Sequence, residues 1–173
     1  IVFGDWSSDV CSSDLSDKLQ KLHLLAAETL EKLYQDGEHA MNEHAEEIAK
    51  HFENAGKEEK AAEYYNKAGC WCIDQHEWEN SETLLKVALA IREKVLGVEH
   101  PDTATSLNNL AYLHKAQSKY SEAEPLHLRA LAIRERVLGT EHPDTALTLS
   151  NLAGLFQDQG KYEIGRASCR ERV

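Results

Sequence analysis

The chain has 173 residues, 42% hydrophobic and 28% charged, with a formal net charge of −11 and a pI near 5.3. That length supports one domain with a sizeable core. The acidic balance repels phosphate, so it argues against nucleic acid as a partner and favours basic peptides or basic protein surfaces. No run of 18 apolar residues would span a membrane. No basic start followed by an apolar run suggests a signal peptide, so a cytoplasmic setting is the default expectation.

Both ends stand apart from the rest. Asp5–Leu15 reads DWSSDVCSSDL and resembles the in-frame translation of a common sequencing adapter; Glu163–Val173, EIGRASCRERV, resembles the matching adapter on the other strand. Residues 1–15 and 163–173 are therefore expected to be non-native tails without structure. On this reading Ser16–Tyr162 is a piece of a longer protein, still strongly acidic. Cys11 and Cys169 fall in the tails and carry no argument, which leaves Cys70 and Cys72.

Residues 16–75 read as N-terminal helices followed by a degenerate copy of a repeat. Leu22–Tyr34 has a helical pattern. His44–Gly56 (HAEEIAKHFENAG) has another, and Lys60–Tyr65 opens a third.

An internal repeat dominates the remainder. His76–Gln117 and Ser118–Gln159 align without gaps with 23 of 42 positions identical. The units are 76–117 and 118–162, the latter including Gly160-Lys161-Tyr162, where a further copy begins. Each unit predicts two helices. In the second copy Leu126, Ala130, Ile133 and Val137 lie on one helical face. Gly139 suits a helix C-terminus, Pro143 a first helical position, and Asp144 the positive end of the helix dipole. Leu149, Leu152, Ala153 and Phe156 form the next stripe. The first copy repeats this with Leu84, Ala88, Ile91, Val95, Gly97, Pro101, Leu107, Leu110, Ala111 and His114. Ala111 and Ala153 allow close helix approach. Helical hairpins of this kind bury their apolar faces only by stacking, so an array of helix pairs is expected. If the array stops mid-unit, Leu149, Leu152 and Phe156 should be partly uncovered.

The motif Leu-x-Asn-Leu-Ala (Leu107–Ala111), then Gln117–Glu124, Ala130–Gly139 and His142–Thr145, resembles the 42-residue tetratricopeptide (TPR) variant of kinesin light chains and many bacterial proteins. The resemblance implies an all-α fold, a right-handed α-solenoid of stacked antiparallel helix pairs. It also implies a non-catalytic scaffold or adaptor that binds a protein or peptide in a concave groove. The segment from Leu22 to Tyr65 resembles the linker between an ATPase module and its TPR array in STAND-type signalling ATPases. That implies an alternative, a sensor or regulatory arm of a larger NTPase whose catalytic domain lies elsewhere. No heptad coiled coil of the kinesin light chain kind precedes the repeats.

The resemblance places Asn109 and Asn151 at the position that bonds a ligand's backbone, as a side-chain amide can by donating and accepting at once; the competing reading is that each amide pairs with a neighbouring helix to hold the stack. Asn108, Tyr112 and Lys115 lie near the same face and vary between copies (Ser150, Gly154, Gln157), as specificity positions would and as plain surface also does. Cys70 and Cys72 lack the spacing of redox or zinc sites and read as ordinary helix cysteines. His39, His44 and His51 include no H-E-x-x-H pattern, and His100 and His142 are repeat positions beside proline, so no metal is expected. The pairs Glu46/Glu47 and Glu58/Glu59 suit solvated helix faces. No phosphate loop, nucleophile elbow or Rossmann glycine pattern occurs, so neither enzyme activity nor a cofactor is expected. Residues 16–162 should accordingly show no saturable ATP binding by equilibrium dialysis, and binding with micromolar affinity would overturn the non-enzyme reading.

Overall fold

In a computed structural model, the structure describes residues 8–35 and 37–160, with side chains from Asp14 onward. Among the described residues there are eight helices and no strand: α1 Ser8–Tyr34, α2 Glu38–Glu43, α3 Ala45–Asn54, α4 Glu58–Asp74, α5 Trp78–Val95, α6 Pro101–Ala116, α7 Tyr120–Val137 and α8 Pro143–Asp158. Short turns join α4 to α5 and α6 to α7, so each pair runs antiparallel. Each helix from α3 onward packs on the next, which makes the array an α-solenoid of helix pairs. The first helices α4, α6 and α8 also approach one another directly. No comparable approach joins α5 to α7, so the layer of first helices forms the inner side of the array. Further upstream α1 packs on α3, with the six-residue α2 inserted between them.

The helix ends follow from repeated local chemistry. Pro101 and Pro143 open α6 and α8. His100 and His142 cap these helices, each Nδ1 accepting from the backbone N–H of Asp102 or Asp144 at 3.1 Å. The sequence suggested the loop position but not this role, because histidine is not among the favoured capping residues. Thr103 and Thr145 donate to the carbonyls of Gly97 and Gly139 at 2.8 Å. Those glycines sit at φ 96° and 90°, a conformation that closes α5 and α7 cheaply only for glycine. At the ends of the first helices a left-handed residue recurs with the 42-residue period: His76, Ser118 and Gly160.

Two devices hold pairs and neighbours together. The first is a column of small residues, Ala27, Gly69 and Ala111, all buried. At Gly69 an added Cβ would lie 2.6 Å from Leu85 Cγ, so α4 and α5 touch there without room for a methyl group. The second is a buried arginine near the end of each second helix. Arg92 donates to the Asp102 carbonyl and the Ser106 hydroxyl at 3.0 and 2.8 Å. Arg134 donates to the Asp144 carbonyl and Thr148 at 2.9 and 2.6 Å, and to Thr105 of its own pair at 2.9 Å. These charges are tolerable in the core because their terminal nitrogens donate to fixed oxygens.

Several expectations need correction. The helical part of α1 begins at Ser8, inside the segment expected to lack structure, and Lys18 pairs with Asp14 one turn away at 2.6 Å; residues 1–7 and 161–173 lie outside the described residues. Val95 and Val137, expected on the apolar stripe, are 38% and 49% exposed, so the stripe is not buried through the last turn of each second helix. Leu152 is buried against Ala111 and Leu131, whereas Leu149 is 37% exposed and Phe156 half-buried.

Gly69→Ala gains roughly 0.5–1 kcal/mol of helix propensity but forces Leu85 out of place at a cost of about 1–3 kcal/mol. We expect a net loss of stability in urea titration. Combining it with Leu85→Ala should cost less than the two single losses together, since the second change removes the atoms met by the new methyl group.

Candidate functional site: the inner face of the first helices

The inner face of α6 is set between α4 and α8. The Asn109 amide donates to Asn66 Oδ1 of α4 at 3.1 Å. One repeat on, the Asn151 amide donates to Asn108 Oδ1 of α6 at 3.2 Å. Lys115 reaches Asp158 of α8 at 3.2 Å. Each amide pair spans 43 residues, one more than the repeat, so each links adjacent units. Asn108 is itself 6% exposed, and its carbonyl oxygen also meets Nδ1 of His127 at 3.0 Å. The structure thus brings Asn108, Asn109, Asn151 and Lys115 into contacts that tie the stack.

Tyr112 differs from the others. It is 49% exposed and enters no hydrogen bond among the described residues. The equivalent positions on the flanking helices hold the small residues Cys70 and Gly154. Leu147 of α8 is 53% exposed and occupies the repeat position of Thr105. A depression of about 450 Å³ among α2, α3, α4 and the start of α5 is lined by Trp71 and the carboxylates Glu43, Glu46 and Glu77 among others, and no lysine or arginine lines it.

His127 was not singled out in the sequence, yet it is fully buried, and its Nε2 has no hydrogen-bond partner among the described residues. Burial, reinforced by the nearby Lys115 cation, pulls its pKa down to about 4. The first copy holds Leu85 at this position, so the substitution of an imidazole for an aliphatic side chain was visible without its consequence. Burial also lowers the basicity of His114, which sits 3.6 Å from Glu122. The Cys70 and Cys72 thiols are both pushed up to about 11, chiefly by burial, and so stay protonated and unreactive near neutrality. His39 packs on Trp71, His44 stacks on Tyr34, and His51 meets His23 at 2.9 Å, so the three histidines do not converge. No group of three metal-ligating residues occurs among the described residues, and no described helix is long and apolar enough to cross a membrane.

A model of the tetratricopeptide repeat matches residues 61–102 and 103–144. These units keep the 42-residue period and begin within α4 and α6, rather than at His76 and Ser118. No curated protein matches the chain. Among solved structures, BtubC (BKLC) from P. vanneervenii superposes with a TM-score of 0.58 at 22% identity, over 93% of this chain and 72% of that one. A candidate kinesin light chain from Podosopora anserina with nearly identical TPR-like repeats gives 0.61 at 24% identity, over 84% and 69%. A single-substitution variant of that kinesin light chain gives 0.55 at 21%, over 91% and 89%. These similarities establish the shared fold.

The buried imidazole sets a pH dependence. Between the folded pKa of about 4 and an unfolded value of about 6.5, the unfolded chain binds a proton that the folded chain refuses, so stability falls as pH drops through that window. The full loss attributable to His127 is about 3 kcal/mol. Urea titrations between about pH 5 and 6.5 should show a clear slope that His127→Leu reduces; an unchanged slope would place its origin in other groups.

Proposed function

Because the chain is a tetratricopeptide-repeat protein, we propose that it acts as a non-catalytic scaffold or adaptor whose inner face binds a peptide or protein segment. Tyr112 carries this reading. An aromatic ring held on a rigid helix, half exposed and free of internal hydrogen bonds, supplies contact area at low entropic cost. Asn109 and Asn151 orient this platform through their bonds to Asn66 and Asn108, and Lys115 is held by Asp158. The net charge of −11 and the carboxylates beside Trp71 favour a basic partner, attracted at long range and retained by short-range contacts. A second reading, a sensor arm of a larger NTPase, is favoured by the resemblance of the Leu22–Tyr65 segment to such linkers; the same face would then receive the input.

The test uses lysine- and arginine-rich peptides selected by phage display against the whole chain. Titration of the tightest peptide should weaken about tenfold or more with Tyr112→Ala and far less with Tyr112→Phe, at unchanged helical content. Peptides that bind the Tyr112→Ala protein as tightly as the parent would move the site away from this face.

A further inference from the structure

The packing of α1 on α3 brings two potential metal ligands together. His23 of α1 and His51 of α3 set their Nδ1 atoms 2.9 Å apart, with ring centroids 5.1 Å apart and the rings tilted by 46°. Both residues are partly exposed. The contact requires one Nδ1 to hold a proton and the other to present a lone pair. Neither ring enters another hydrogen bond among the described residues. The backbone beneath them is held by the core: Leu24, next to His23, and Phe52, next to His51, pack in one cluster shared by α1 and α3. The pair is not legible in the sequence, because 28 residues separate its members.

We propose that His23 and His51 form a two-imidazole site for a divalent ion of the zinc type, and that the bound ion clamps α1 onto α3. Imidazole nitrogen suits this class of ion, whereas magnesium and calcium take oxygen. Two imidazoles on one tetrahedral ion, each bound at about 2.0–2.1 Å, have nitrogens about 3.3 Å apart and ring centroids about 5 Å apart. The centroid separation is already met. The nitrogens must part by only about 0.4 Å, which a small pivot of each ring about its own centre supplies without moving either helix. The proton balance closes as well. The ring with hydrogen on Nδ1 releases it to solvent and takes one up at Nε2, so both rings stay neutral and both Nδ1 lone pairs face the ion. Glu47 precedes His51 by one turn of α3 and lines the same open groove of about 470 Å³. Its carboxylate places a counter-charge beside the ion, and the groove has room for water in the remaining coordination positions. The formal net charge of −11 attracts cations to the chain as a whole.

Calorimetric titration of the full chain with zinc chloride, in buffer free of chelators, tests this. The parent should bind one zinc ion with micromolar affinity, an excess of magnesium should not compete, and saturating zinc should raise the urea midpoint. His23→Gln and His51→Gln should each weaken binding about tenfold or more at unchanged helical content, since both positions are partly exposed. The double variant should be little weaker than either single one, because the two rings act on the same ion. His44→Gln should leave binding intact, although His44 lies 3.6 Å from Glu47. No saturable binding below millimolar zinc would overturn the proposal. So would zinc binding, or a zinc-dependent rise in the urea midpoint, that survives in the double variant.

Discussion

The arrangement depends on places where a side chain is nearly absent. At Ala27, Gly69 and Ala111, 42 residues apart, a helix presents a hydrogen or a methyl group to its neighbour, and everything larger is displaced to either side. The tightest instance is Gly69, where the Leu85 side chain occupies the volume that a methyl group would need. This contact fixes the separation of α4 and α5 and hence the rotation of each helix about its axis. That rotation decides which residues enter the core and which reach the inner face. With a bulkier residue in the column, the pairs would separate and the amides of adjacent units would no longer be at bonding distance.

Much of this was readable from the sequence because the repeat compares the chain with itself. Helix type, the glycine and proline boundaries at Gly97, Pro101, Gly139 and Pro143, and the small position at Ala111 all follow from periodicity and local backbone chemistry, whereas Ala153, expected to act like Ala111, is exposed, and Gly69 was not singled out. Boundaries were less legible where one unit departs from the others. The insertion of α2 between α1 and α3 has no counterpart in the later pairs, so the repeat offered no guide to it. The start of α1 was hidden by the unusual terminal sequence.

The inner face was harder to read for a geometrical reason. Comparing copies aligns residues 42 apart, whereas the amide contacts join residues 43 apart. At Asn108 the change to Ser150 looked like the freedom of a surface position, yet Asn108 is buried and bonded from two sides. Variation between copies thus reflects different partners as much as absent ones. The replacement of Leu85 by His127 makes the same point in the core, where one copy buries a hydrocarbon and the next a titratable ring beside that asparagine. Tyr112 was visible as a residue, but its availability depends on what the neighbouring helices leave uncovered.

The buried arginines give the array a direction. Arg134 belongs to α7, but two of its acceptors, the Asp144 carbonyl and the Thr148 hydroxyl, lie on α8. A second helix is thus electrostatically incomplete until the following first helix is in place, whereas a first helix makes no such demand on what comes after it. Severing the chain between α7 and α8 would strand a cation in a desolvated position, while severing it beyond α8 would leave each buried guanidinium with its acceptors. The functional joint of the array, for exchanging modules or splicing it to another protein, therefore lies after a first helix, half a unit away from the boundary that the helix pairs suggest.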